Sequence, residues 1–425
     1  MNIAIIGAGF TGLTAANASI LKGDTVEIFE MDKTPGGLAM GFKKNNWDWS
    51  LEKHYHHIFT SDSSILNLAK EIDTPFNFYR PNTSSLIDNH IIQLDSPEKL
   101  LQFGALSVPS RLRMGAVLGY LKYVAKWQSL EQYTAHDWLQ KTLGRVPYGT
   151  LWEPLLKSKF GPYYKDISLA WFWARIKARS TKLGYPEGGF GHFADRLAEK
   201  VVSLGGKIHF DCPVDRIVPN DKTVTVYYKG KKSDFDVVIV TVSNALFAHL
   251  TPSLPEDYKK KLNEFKGIGA LNIILELKKE FLPKDVYWLN ICDSDFPFLA
   301  VVEHTHFIDK SHYNNSNIVY VGNYLPSDHE LFSLSKEKLL DRYHPYLDKI
   351  HSGYKNNLFD IHLFKVPFAQ PIVTTNFSKK ILPFNTPIPN LYLANIQQVY
   401  PWDRGTNYAV EMGKRIVNTV HTETE

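Results

Sequence analysis

At ~150 residues per domain, a chain of 425 residues has room for two or three domains and is too long for a small binding module. Its 44% hydrophobic, 13% aromatic and 22% charged residues exclude a disordered or collagen-like polymer. The 48 Lys+Arg against 44 Asp+Glu leave +4, too slight an excess to mark a nucleic-acid-binding surface.

The chain opens on strand-like Asn2-Ile3-Ala4-Ile5-Ile6, without the basic and apolar stretches of a secretory signal. Cys212 and Cys292 stand far apart with no Cys-x-x-Cys spacing, so a reducing cytoplasm is expected, with neither disulfide nor zinc site. No apolar run approaches the ~20 residues that a bilayer-spanning helix needs. After Ile6 come glycines, a helical run Leu13 to Lys22, and the strand Thr25 to Phe29 ending at Glu30, which together make a βαβ unit. Ser85 to Leu94 reads as a hairpin about Asp88-Asn89, and Ser96 to about Lys182 as a helical insertion. Gly184 to Gly189 is a turn-rich boundary, Phe193 to Leu204 an amphipathic helix, and Gly205-Gly206 its C-cap.

Lys207 to Phe210, Val214 to Val218, Thr223 to Tyr228 and Asp236 to Val242 are strand candidates able to return to the first sheet. Leu271 to Leu277, Val286 to Ile291, Leu299 to Glu303 and Ile318 to Tyr324 predict a mostly antiparallel second domain, followed by a helix over Lys336 to Ile350. A strand Leu391 to Ala394 and a helix Asn407 to Val420 close the chain.

Gly7-Ala8-Gly9-Phe10-Thr11-Gly12 carries the most chemistry. The first glycine permits a tight turn, the second admits a pyrophosphate to backbone N–H groups, and the third lets helix and strand approach. The helix N-terminus then faces the phosphates. Glu30 ends the second strand, where a carboxylate accepts both ribose hydroxyls and repels a 2′-phosphate. This pattern serves NAD and FAD equally.

Met31-Asp32-Lys33-Thr34-Pro35-Gly36-Gly37-Leu38 then resembles the FAD-binding amine oxidase superfamily, which includes protoporphyrinogen oxidase and phytoene desaturase and has a glycine doublet here. The resemblance continues through Leu183 to Gly189, Val214-Asp215-Arg216-Ile217, Leu391 to Ala394 and Gly405 to Val410, spanning nearly the whole chain in order. It implies an α/β fold: a Rossmann-like FAD-binding domain (GR2-type) from residues 1–80, 183–248 and 381–425, with an inserted α+β substrate domain from 81–182 and 249–380. That inserted domain would combine the helical insertion with the antiparallel sheet. The resemblance further implies noncovalent FAD held by Gly7, Gly9, Phe10, Thr11, Gly12, Glu30, Met31, Gly36, Gly37, Leu38, His57, Val214, Thr406, Asn407, Tyr408 and Ala409, with NAD(P)H as a candidate reductant. Where the family has Leu-Ala-Gly-Asp, this chain has Leu393-Ala394-Asn395-Ile396, so the acid that often holds the flavin chain is replaced. Asp403 or Asn395 is the candidate substitute, and a salt bridge to a nearby arginine is the competing role for Asp403.

Lys53 to Phe59 concentrates titratable groups. Read as a strand, it puts His54 and His56 on one face and His57 on the other, with no acid or cysteine to complete a metal site. His57-Ile58-Phe59 is similar to the His-Ile-Phe of UDP-galactopyranose mutase, which implies a histidine against the flavin ring; His54 and His56 also fit simple packing. Arg175 and Arg179, four apart in a helical run, suit an anion clamp or a solvated face. Tyr400, Trp402 and Arg404 suit a pocket wall or packing. His57, Arg175 and Arg404 are the catalytic candidates. Arg111, Arg113, Lys122, Lys126 and Trp127 flank the apolar run Met114 to Leu121, which reads as a core helix with a snorkelling edge or as a peripheral membrane contact.

The resemblance implies an FAD-dependent oxidoreductase exchanging a hydride between a small-molecule substrate's carbon and flavin N5, the substrate being an apolar isoprenoid, polyene or tetrapyrrole. A UDP-galactopyranose-mutase-like enzyme acting without net redox change is the alternative. A non-catalytic binder of prenylated proteins, like the GDP-dissociation inhibitors, is a third, opposed by the intact glycine motifs.

Overall fold

The computed structural model describes residues 1–283 and 285–424; Lys284 and Glu425, which fall inside the expected domain ranges, lie outside the described residues. Five parallel strands form the nucleotide sheet, in the order Lys207–His209, Thr25–Phe29, Asn2–Ile6, Val237–Val240, Leu391–Leu393. Their central members are short unbroken apolar runs because helices or a second sheet cover both faces; all four residues of Val237–Val240 are buried. Helix Phe10–Leu21 lies on this sheet, and the C-terminal helix Thr406–Thr424 crosses it so closely that a Cβ on Gly413 would come 2.6 Å from the Thr11 carbonyl oxygen.

Two of the four strand candidates after Gly206 join this sheet and two do not. Val214–Pro219 and Val224–Tyr228 pair with each other and with Lys231–Phe235 as a separate antiparallel sheet. The inward faces of that sheet, Ile217, Val224 and Val226, share a core with Ala4, Ile6 and Phe29. Packing onto the parallel sheet, rather than extending it, covers its second face.

The second sheet has seven strands in the order Leu358–Pro371, Gly267–Leu277, Asn317–Leu325, Ala300–Glu303, Val286–Ile291, Asn82–Ile87, His90–Gln93. It is antiparallel except where Val286–Ile291 runs alongside Asn82–Ile87. The hairpin turn falls at Asp88-Asn89, both left-handed with φ 51° and 60°, as a two-residue turn of Asp and Asn requires. Helix Lys336–Ile350 buries Leu339, Leu340, Tyr343 and Leu347, at helical spacing, over one face. The long edge strand Leu358–Pro371 has no counterpart among the predicted strands.

The helical insertion, with Val108–Gly119, Ala135–Leu143, Glu153–Phe160 and Leu169–Ala178 as its main helices, packs on the second sheet through Glu153–Phe160. Ser107, Thr134 and Ser168 cap three of them by accepting backbone N–H groups. The predicted turn-rich boundary is in part a strand: Leu183–Pro186 is fully buried at the centre of a three-stranded sheet between Ile58–Phe59 and Phe76–Tyr79, the turn is confined to Glu187 and Gly188, and Gly189 already opens the helix Gly189–Ser203. Gly184 is there because a Cβ would meet Phe78 at 2.7 Å and Ile58 at 2.8 Å.

Candidate active site

At the nucleotide end the two glycine motifs close on each other. Gly7 is left-handed at φ 106°, and the Gly36 N–H donates to the Ala8 carbonyl at 2.9 Å. A Cβ on Gly12 would lie 2.0 Å from the Gly7 carbonyl oxygen, so this glycine serves the close approach of helix and loop. A Cβ on Gly9 would meet only the Gly37 Cα, at 3.8 Å. The protein itself does not demand a glycine at residue 9, and the bare cradle at the helix N-terminus fits a pyrophosphate. Glu30 is buried and accepts the Ala8 N–H at 2.6 Å and the Asp32 N–H at 2.9 Å, each oxygen keeping a lone pair for a ribose hydroxyl. Burial pushes its carboxyl above the ordinary range against these two backbone bonds.

The other predicted contacts divide. Met31 is exposed at the rim, and Val214 begins the strand two residues after Cys212, whose N–H donates to the Glu30 carbonyl at 2.7 Å. Phe10 faces inward, 5.7 Å from Phe193, so only its backbone is offered to a ligand, and Thr11 is buried beneath Gly413. Leu38, His57, Thr406, Asn407 and Tyr408 line a cavity of about 330 Å³ between the sheets and the helical insertion, while Ala409 does not. Asn407 accepts the Ile65 N–H at 3.1 Å and so ties the C-terminal helix to Ser63–Glu71, a helix the sequence reading missed.

Lys53 to His57 is irregular rather than a strand, and His54, His56 and His57 all line the cavity, whatever their parity. Their half-buried setting in its wall pushes all three imidazoles well below the ordinary range; at His57, Arg179 and Arg175 add to this. They are therefore neutral donors and acceptors. The Tyr287 hydroxyl lies 3.4 Å from His57 Nδ1, and the Asn272 amide bonds His54 Nδ1. Beneath them Glu52, fully buried with no cation in contact among the described residues, accepts the Tyr185 hydroxyl at 2.8 Å and the Phe190 N–H at 2.7 Å, and burial raises it to about 7.

On the opposite wall, helix Leu169–Ala178 ends before Arg179, whose backbone is extended, so Arg175 and Arg179 do not share one helical face as predicted. Both nevertheless line the cavity. Asp403 takes the predicted salt-bridge role: it accepts Arg175 Nη1 at 2.7 Å, Trp171 Nε1 at 2.9 Å and Gln370 Nε2 at 3.2 Å, with Lys159 Nζ at 4.0 Å. Burial pushes the Asp403 carboxyl upward, but Lys159, Arg175 and Arg404 outweigh it and hold it well below the carboxylate range. Asn395 is also committed elsewhere: its amide donates to Val242 and Asn244, and its carbonyl caps the turn at Gln397. Neither residue is free to replace the family's acid, and Ile396 stands in that place.

Arg404 bonds the Tyr324 hydroxyl and reaches the cavity, whereas Tyr400 and Trp402 do not line it. Tyr400 donates to Glu131 at 2.9 Å, and Trp402 packs between Trp173 and Tyr408. Lys159, Asn272, Tyr287, Trp288 and Tyr324 are cavity residues that sequence reasoning missed; no local spacing marks them, because four separate segments contribute them.

Comparison with known proteins agrees with this geometry. The family model described as flavin containing amine oxidoreductase matches residues 10–420. The 15-cis-phytoene desaturase of Synechococcus elongatus (strain ATCC 33912 / PCC 7942 / FACHB-805) is 22% identical over 344 residues, covering 71% of this chain and 70% of that protein. Among solved structures, cyclohexylamine oxidase from Brevibacterium oxydans IH-35A superposes with a TM-score of 0.77 at 14% identity, covering 100% of this chain and 99% of that one. Reduced UDP-galactopyranose mutase does so with a TM-score of 0.76 at 15% identity, covering 99% and 96%. The chain thus belongs to the flavin containing amine oxidoreductase family and is an FAD-dependent oxidoreductase.

Proposed function

We propose that the protein binds FAD noncovalently along the joined glycine loops and oxidises or reduces a small molecule held in the cavity lined by His54 to His57 and Arg404. The observation that carries this reading is the continuity of site types: a glycine cradle and Glu30 at one end, and at the other a polar-walled cavity at the start of helix Thr406–Thr424. When bound, the flavin supplies a hydride acceptor or donor at N5. Gly9, Gly36 and Gly37 receive the pyrophosphate, Glu30 the adenosine ribose, and Leu38 with Thr406 to Tyr408 bound the ring end. His57, neutral and beside the Tyr287 hydroxyl, relays the accompanying proton from one ring nitrogen to the other rather than keeping it as imidazolium. Trp152, Leu155, Phe172 and Ile176 give the cavity an apolar wall, which suits an isoprenoid or tetrapyrrole body, with NAD(P)H as the source of electrons for a reduction.

Absorption spectra test this reading. The purified protein is expected to be yellow and to release a flavin spectrum into the supernatant on acid precipitation; a colourless protein that takes up no added FAD sinks it.

The helical insertion supports contact with an anionic membrane surface. Val108, Leu112, Tyr120, Tyr123 and Val124 form an exposed apolar ridge at roughly four-residue spacing, opposite buried Met114 and Leu121. Residues 99–130 carry Lys99, Arg111, Arg113, Lys122 and Lys126 and no acid. Lys122 Nζ donates to the Arg179 carbonyl at 2.8 Å, which joins the ridge to the cavity wall. Among the described residues no helix is long and apolar enough to cross a membrane. Co-sedimentation with phosphatidylglycerol vesicles is expected for the native chain and lost in Leu112→Asp/Tyr123→Asp; equal sedimentation of both removes the ridge from the reading.

A further inference from the structure

Two cations contact one carboxylate at the floor of the cavity, and a third, the Arg404 guanidinium, stands close enough to act on it by charge. Arg175 Nη1 is 2.7 Å from Asp403 Oδ2, Lys159 Nζ is 4.0 Å from the same oxygen, and the Arg404 backbone N–H donates to Asp403 Oδ1 at 3.1 Å. The Lys159 ammonium makes no hydrogen bond among the described residues; its side chain is only 14% exposed and lies over the Tyr324 and Trp171 rings at 4.8 and 5.5 Å. Arg404 reaches Tyr324 through Nη2, but its buried Nε has no partner. Buried donors and charges without partners are costly, so a site that keeps them is built for a ligand that supplies the missing acceptors. Over the whole lining four cations, Lys159, Arg175, Arg179 and Arg404, face three carboxylates, Asp62, Asp95 and Asp403, and the positive charge gathers about Asp403, where Lys159, Arg175 and Arg404 stand against one carboxylate.

This excess is not for the cofactor's own phosphates. Gly7, Gly9 and Gly12, the pyrophosphate cradle, do not line this cavity. The remaining acids of the cavity are otherwise engaged: Asp95 accepts the Thr83 N–H and the Gln93 amide, and Asp62 accepts the Phe59 N–H. Arg179 stands on the same wall as a fourth cation.

We propose that Lys159, Arg175 and Arg404 form a receptor for a phosphate-type anion carried by the substrate. The inference rests on the reading of this cavity as the substrate site. A guanidinium pair and an ammonium around one point offer several donors to a group with three or more oxygens. Burial and the two neighbouring arginines push the Lys159 ammonium well below its ordinary range, against Asp403, and a bound phosphate reverses that by adding negative charge. The substrate is then an amphiphile or a nucleotide sugar with a phosphate or diphosphate at this end, its remaining body directed to the Trp152, Leu155 and Ile176 wall or beyond it.

Calorimetric titration of the purified protein with inorganic pyrophosphate, farnesyl diphosphate, UDP and acetate tests this. Pyrophosphate is expected to bind, with an affinity that weakens as salt is raised and falls at least ~30-fold in Lys159→Gln and in Arg175→Gln, while Arg175→Lys, which keeps the charge but loses the guanidinium donors, falls between native and Arg175→Gln. Tighter binding of farnesyl diphosphate or of UDP supports the receptor and assigns the source of the anion. Absence of pyrophosphate binding, equal binding by the two Gln variants, or acetate binding as tightly as pyrophosphate overturns it. Retained flavin absorbance in each variant shows that the fold survives. Binding in a protein that takes up no FAD upholds the receptor while removing the oxidoreductase reading, so the two fail separately.

Discussion

Gly12→Ala is expected to prevent assembly of the nucleotide domain, whereas Gly9→Ala folds normally and loses the cofactor. The added methyl at residue 12 would sit 2.0 Å from the Gly7 carbonyl oxygen and 3.2 Å from Thr241 Oγ1, and backbone cannot yield as a flexible side chain does. Relieving that overlap means parting helix Phe10–Leu21 from its strand, at a cost of ~3 kcal/mol or more. At residue 9 the backbone is already ordinary, with φ −72°, and the nearest atom to the new methyl is at van der Waals distance. The methyl instead enters the open space that the proposed function assigns to the pyrophosphate. Unfolding midpoints measured without added FAD should therefore match the parent for Gly9→Ala, while FAD affinity falls at least ~100-fold, equivalent to ~2.7 kcal/mol. Full flavin retention by Gly9→Ala would place the pyrophosphate elsewhere.

Asp403→Asn has the second largest expected effect. Asparagine keeps an oxygen for Trp171 Nε1 but removes the charge that Lys159, Arg175 and Arg404 surround. Lys159 is nearly buried but Arg175 is 44% exposed and screened by solvent, so removing the charge between them costs ~1–2 kcal/mol, less than a fully buried pair, which a urea unfolding midpoint at neutral pH will detect. The pH dependence has a definite sign. The folded carboxyl lies below its ordinary value of ~3.9, so its contribution is fully present above that value and is lost as pH falls through the folded value. The native protein should lose stability on acidification below about pH 4 more steeply than the variant, with the two curves converging in acid. Equal midpoints at neutral pH would mean that the three cations do not depend on Asp403.

The inner strands Asn2–Ile6 and Val237–Val240 of the nucleotide sheet are readable because each is a short, mostly apolar run bounded by turn residues, and buried parallel strands need no partner-specific pattern. The edge strand Leu358–Pro371 is not, since Asp360, His362, Lys365 and Pro367 interrupt it. Its outer side has no partner strand, and Pro367 falls in the bulge between the Ile268–Gln370 and Ala270–Val366 pairs, where no ladder hydrogen bond is lost. Leu183–Pro186 was hidden for the opposite reason: its Gly, Tyr and Pro read as a turn, and only Phe78 and Ile58 closing over Gly184 make it a strand.

By itself the sequence determined the dinucleotide loop, Glu30, the glycine doublet and the family resemblance, all within stretches of a few residues where backbone conformation and phosphate contact depend on local spacing. The tertiary structure decided the rest of the site. Asp403 meets Arg175 across 228 residues of sequence and Trp171 across 232, and Lys159 reaches it from another helix. The same packing ended a helix one residue before Arg179, spent Asn395 on a turn, and left three cations around one carboxylate. Such juxtapositions follow from how two sheets and a helical insertion close on a cavity, and the pairing of charges in a low-dielectric interior depends on that closure rather than on any spacing along the chain.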